Sequence, residues 1–248
     1  GGGALSSQQI RIQSFVAAGR AEVWDALLHR TDVVLDALPE PRWPEGCALD
    51  APSRLTAPWP HTVPHGAATE VVVDLAEVGS GTLLDLRHRG LGEGPAWDEA
   101  IGGYFAAWLQ ALAALGVLVE SGVDARPAEA LRGKERYVAS GEIPAPADPT
   151  WRSLTDHYVL ERWSEGVLDG AETLEALEGR FLRLVLPPRT AADAPAQGAA
   201  PPTELTVILR RTPRGTHLAL AEYGVPEGGR EPSTRWPPMF ERLARFLG

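Results

Sequence analysis

The chain has 248 residues, 44% of them hydrophobic and 23% charged, with a formal net charge of -10. That length accommodates one large domain or two of about 120 residues, each burying roughly two-thirds of its unfolded surface, and the composition excludes an intrinsically disordered chain. A single lysine, Lys134, stands against 22 arginines with no basic run, which excludes a phosphate-tracking stripe and makes nucleic acid an unexpected partner.

The amino-terminal "GGGALSS" has neither a methionine nor a charged n-region, so it reads as an expression remnant and not a signal peptide. "QIRIQSFVA" then alternates like a half-buried strand, and "RAEVWDALLH" places Val23, Trp24, Leu27 and Leu28 on one helical face. Cys47 is the only cysteine; it excludes an intramolecular disulfide and a zinc quartet, and it favours a reducing, cytoplasmic setting. The proline-punctuated "PWPHTVPHG" carries Trp59, His61 and His65. A His-x3-His pair imitates zinc spacing only on a helix, which Pro60 and Pro64 oppose, so no metal is expected.

From Thr69 a hairpin follows. Val71, Val73 and Leu75 point one way and Asp74 the other, Gly79 to Gly81 turn the chain, and Thr82, Leu84, Leu86 and His88 share the inward face of the returning strand. A helix of about 25 residues then carries Ile101, Tyr104, Phe105, Trp108, Leu112, Leu115 and Val119 at three- and four-residue spacing and ends at Ser121-Gly122. Its paired glycines, Gly102 and Gly103, interrupt the longest apolar run of the chain, so no membrane span is expected.

The hairpin returns. "TEVVVDLAEVGSGTLLDLRHRGL" (Thr69 to Leu91) lies over "TELTVILRRTPRGTHLALAEYGV" (Thr203 to Val225) without a gap, and nine of 23 positions are identical: Thr69/Thr203, Glu70/Glu204, Val73/Val207, Leu75/Leu209, Gly81/Gly215, Thr82/Thr216, Leu84/Leu218, Leu86/Leu220 and Gly90/Gly224. Upstream, Trp24 and Leu27 match Trp151 and Leu154. In the second copy Asp148 is placed to cap a helix with Pro149 at its first position. "RWPPMFERLARFLG" closes that copy with a shorter stripe, and 187–202, rich in proline and alanine, reads as a mobile loop.

"RAEVWDAL", "GTLLDLRHRGL" and the long aromatic closing helix together resemble the AHSA1-type branch of the START-like (SRPBCC, Bet v 1-like) superfamily. The resemblance implies an α+β chain of two tandem helix-grip domains, each a curved antiparallel sheet wrapped around a long carboxy-terminal helix. Domain 1 would span 8–122, a linker 123–133, and a degenerate domain 2 134–248. Members of that superfamily include lipid and polyketide binders, aromatase/cyclases and an Hsp90 co-chaperone domain, so the fold leaves the function open.

Three functions follow as expectations. The first is binding of a small hydrophobic or aromatic ligand in a cavity between sheet and helix of domain 1, lined by His88, Tyr104, Trp108, Trp59 and Leu86. The second is a cyclase or hydratase with His88 as acid/base. The third is a protein-interaction or Hsp90-activator-like role. Copy two has Glu222 where copy one has His88, which puts a second pocket in doubt; Glu222 is expected to face solvent or a salt bridge. Neither a Gly-x-Ser-x-Gly elbow nor a GxxxxGK[ST] or GxGxxG loop occurs, so no cofactor is expected.

Overall fold

The computed structural model describes residues 8–36, 41–59, 63–132, 134, 136–187, 202–225 and 234–248. The chain divides into two compact units, Gly1–Asp124 and Ala125–Gly248. The amino-terminal heptapeptide, His61, and all of the 187–202 stretch except Pro187 and Pro202 lie outside the described residues.

Unit 1 runs β1 (Gln8–Val16), α1 (Arg20–His29), α2 (Thr31–Val34), β2 (Ala48–Asp50), β3 (Arg54–Trp59), β4 (Thr69–Val78), β5 (Gly81–Leu91) and α3 (Pro95–Ser121). Unit 2 runs β6 (Arg136–Ile143), α4 (Ala147–Thr155), α5 (His157–Trp163), β7 (Glu172–Leu177), β8 (Phe181–Leu186), β9 (Thr203–Thr212), β10 (Gly215–Tyr223) and α6 (Trp236–Leu247). Each builds one five-stranded antiparallel sheet, ordered β1-β5-β4-β3-β2 and β6-β10-β9-β8-β7. The chain is therefore α+β, with the same strand order in both units.

Two strands per unit go beyond the hairpin and first strand legible in the sequence. β2 is three exposed residues and β3 contains Pro58, so neither shows clean alternation. β8 does alternate, with Leu182, Leu184 and Leu186 buried.

The period-2 and period-3.6 patterns meet in one core per unit. In unit 1, Val71, Val73, Leu75, Leu84 and Leu86 from the sheet pack with Val23, Trp24 and Leu27 of α1 and Trp108, Leu112 and Leu115 of α3; each such side chain contributes roughly 1.5–3 kcal/mol when fully buried. The opposite sheet face carries alternating charges. Arg54 Nε donates to Asp74 at 2.5 Å, Arg87 pairs with Asp74, and Arg11 Nε donates to both Asp85 oxygens at 3.1 Å. Pairs that stay in partial contact with water stabilise little, but they keep that face polar.

Gly102 and Gly103 do not interrupt α3, which continues through them for 27 residues. By length and composition it is long and apolar enough to cross a membrane, although half of its most apolar window is buried within the protein. The stripe also holds less tightly than its spacing implies: Phe105 is 44% exposed. α4 starts before its expected cap, because Pro146 occupies the cap position in an extended conformation and Thr150 Oγ1 donates back to the Pro146 carbonyl at 2.8 Å. Asp148 falls in the first turn, where its charge still complements the helix dipole.

Much of the 123–133 stretch packs on the second sheet. Ala125 is buried, the Ala128 N–H donates to Glu204 Oε1 at 3.1 Å, and Arg183 Nη2 donates to the Arg126 carbonyl at 2.8 Å. The threonines of the repeat do the same job twice. Thr82 Oγ1 donates to the Ala18 carbonyl at 2.9 Å and Thr216 Oγ1 to the Ala145 carbonyl at 2.8 Å, so each ties the start of its strand to the loop entering the tryptophan-bearing helix.

Candidate functional site

His88 ends the inward row of β5, between Ile10 of β1 and Val71 of β4, and its side chain is fully buried. Thr69, two residues before Val71, lies on the same face because side chains repeat every second residue along a strand. Its Oγ1 is 2.9 Å from His88 Nε2, and Trp108 Nε1 donates to His88 Nδ1 at 3.4 Å. An indole N–H can only donate. Nδ1 therefore carries the lone pair, and Nε2–H donates to Thr69.

Three rings surround the imidazole. Centroids of Tyr104, Trp59 and Trp108 lie 5.0, 5.3 and 6.4 Å from that of His88, and Trp59 contacts Trp108 at 5.2 Å. Trp59 terminates β3, while Tyr104 and Trp108 sit one helical turn apart on α3. Trp59 and Tyr104 are only half-buried, so the cluster reaches the surface beside the amino-terminal half of α3. Burial pushes the Tyr104 hydroxyl up in pKa. Leu86 lies deeper, in the hydrocarbon core.

Burial lowers the His88 pKa to about 4 from 6.5, so the ring is neutral at pH 7. In that neutral form Nε2–H donates to Thr69 and Nδ1 accepts from Trp108. The shift has a consequence for stability. Between pH 6.5 and 4 the unfolded chain takes up a proton that folded His88 refuses, so the stabilisation is complete above the unfolded pKa and is lost as pH falls toward the folded one. The stability gap between wild type and His88→Gln is expected to narrow by about 2 kcal/mol from pH 7.5 to pH 5, measured by urea unfolding. A pH-independent gap would show that the imidazole is not held neutral.

The remaining sequence candidates are not drawn together. His65 sits in a short 3-10 turn, Pro64–Gly66, and no group of three or more metal-ligating side chains occurs among the described residues. Cys47 donates its S–H to the Pro44 carbonyl at 3.0 Å, and burial pushes the thiol up, away from the nucleophilic thiolate.

Unit 2 keeps the frame and changes the chemistry. Glu222 pairs with Leu205 and Tyr137 and is fully buried. Thr203 Oγ1 donates to its Oε1 at 2.8 Å, Trp236 Nε1 to its Oε2 at 2.8 Å, and Arg235 Nη2 to Oε1 and Oε2 at 3.2 and 2.9 Å. Thr203 answers Thr69. The tryptophans also correspond, since 236 minus 108, 240 minus 112 and 243 minus 115 all equal 128, aligning Trp236, Phe240 and Leu243 with Trp108, Leu112 and Leu115. α6 thus matches the carboxy-terminal half of α3, and Arg235 immediately precedes it, where the missing turns would end. Sequence reasoning passes over Thr69, Thr203, Arg235 and Trp236 as partners, although the identity of the two threonines is visible in the repeat. An open groove of about 500 Å³ in unit 2, lined in part by Pro144, Pro146, Arg211 and Pro213, lies at the far end of β10 from Glu222.

No family model matches the chain, and no curated protein does. Solved structures do resemble it. DynU16, from the dynemicin biosynthetic locus, is 17% identical with a TM-score of 0.45, covering 98% of this chain and 96% of that one. CalU16 from Micromonospora echinospora is 24% identical with a TM-score of 0.35, covering 47% of this chain and 78% of that one. The Aha1 dimer from Colwellia psychrerythraea is 15% identical with a TM-score of 0.38, covering 46% of this chain and 98% of that one. At these TM-scores the likenesses carry no argument about activity.

Proposed function

We propose that the chain is a tandem START-like protein of the helix-grip type whose first unit binds a small, flat hydrophobic or aromatic molecule between sheet and α3. The supporting observation is the cluster at the end of β5: a buried, uncharged imidazole with Trp59 and Tyr104 half-buried against it. Rings placed there offer stacking area with a single polar group to orient a ligand, as small-molecule sites do. Unit 2 is the degenerate copy, its corresponding position filled by an ion pair.

The test is thermal unfolding in the presence of flat aromatic and lipid-like probes. An aromatic probe is expected to raise the midpoint of the wild type, and Trp59→Ala to weaken its binding about tenfold by removing a stacking face. No shift with any probe, or an unchanged affinity in Trp59→Ala, would overturn the proposal.

A further inference from the structure

We infer that the first-unit site selects a neutral aromatic ligand carrying an O–H or N–H donor, which takes His88 Nδ1 in place of Trp108. The inference rests on the binding proposal above and deepens it.

The tautomer comes first. Because Nε2–H is committed to Thr69 at 2.9 Å, the imidazole presents only a lone pair toward α3. A ligand entering between sheet and helix meets an acceptor and must supply a donor, or leave that acceptor buried and unpaired.

The bond already there is replaceable. At 3.4 Å the Trp108 contact is longer than the usual 2.9–3.0 Å for N–H donors and correspondingly weak. The aligned acceptor in unit 2 is different: Glu222 receives Trp236 at 2.8 Å and Arg235 at 2.9 Å, so its helix side is saturated. Two acceptors thus occupy equivalent places, one locked and one held by a weak donor.

Charge sets the third condition. Thr69, Trp59, Tyr104 and Trp108, which meet the His88 ring through hydrogen bonds or ring contacts, include no cation. A carboxylate pressed against a lone pair and aromatic faces would be desolvated without compensation, so anionic ligands are rejected.

The experiment measures binding of naphthol, methoxynaphthalene and naphthoate to the full chain at pH 7 by calorimetry, in wild type and in Trp108→Phe. In wild type, naphthol is expected to bind about five-fold tighter than methoxynaphthalene, with naphthoate weakest, the margin one neutral hydrogen bond supplies. Trp108→Phe removes the competing donor, so the naphthol-to-methoxynaphthalene ratio is expected to rise further even if both affinities change with ring shape. Equal binding of naphthol and methoxynaphthalene, or a ratio that falls in Trp108→Phe, would overturn donor selection and leave the aromatic site standing. Failure of all three probes would overturn both.

Discussion

Arg235→Leu is expected to destabilise unit 2 by about 3–5 kcal/mol, the scale for stripping one partner from a buried ion pair. Glu222 has no exposed surface and Arg235 keeps only 17% of its side chain in solvent, so water cannot replace the lost guanidinium. Thr203 and Trp236 would remain as neutral donors to an uncompensated charge. The second variant separates charge from packing: Glu222→Gln removes the charge and keeps an acceptor for Thr203. In the double variant, Glu222→Gln with Arg235→Leu, more than half of the single-variant loss should return. Hydrogen exchange of the β9 and β10 amides in urea reads unit 2 by itself. Additive losses in the double variant would show that the buried charge is not what Arg235 stabilises.

Gly215→Ala is expected to cost about 3 kcal/mol, combining backbone strain with overpacking. An added Cβ would stand 2.2 Å from the Ile143 carbonyl oxygen and 2.9 Å from the Ala145 amide nitrogen, at φ 145°. Both obstacles are backbone, so no side chain can swing clear. Gly81, its match in unit 1, makes a milder comparison: the new Cβ would meet the Val16 carbonyl at 2.6 Å and the Phe15 ring at 2.4 Å, and that ring is 46% exposed and can move. The measured order of loss should be Gly215→Ala above Gly81→Ala. An unchanged urea midpoint for Gly215→Ala would contradict the close approach of β10 to the end of β6.

Much of unit 1 was legible in its sequence because its patterns are strong. The alternation of "QIRIQSFVA", the Val71-Val73-Leu75 row and the three- and four-residue spacing around Trp108 each bury one face, and the structure places a strand or helix at each. β2 and β3 were not legible, since a three-residue edge strand and a strand holding Pro58 carry little pattern. The site was legible only as a set of residues. His88 and Trp108 are 20 residues apart, and no periodicity indicates that one indole donates to one imidazole nitrogen.

By itself the sequence determined that one hairpin occurs twice with its buried rows intact, because hydrophobic periodicity is local and survives divergence around it. It also marked one inward position, His88 against Glu222, as the place where the copies part. Only the tertiary structure decided what that difference means. Burial from neighbouring strands makes His88 neutral, and the indole above it fixes the tautomer. The shortened helix of unit 2 begins beside Arg235, which pairs with the buried Glu222 carboxylate. Charge state and hydrogen-bond polarity depend on what surrounds a group in three dimensions, and those surroundings come from segments far apart in the chain.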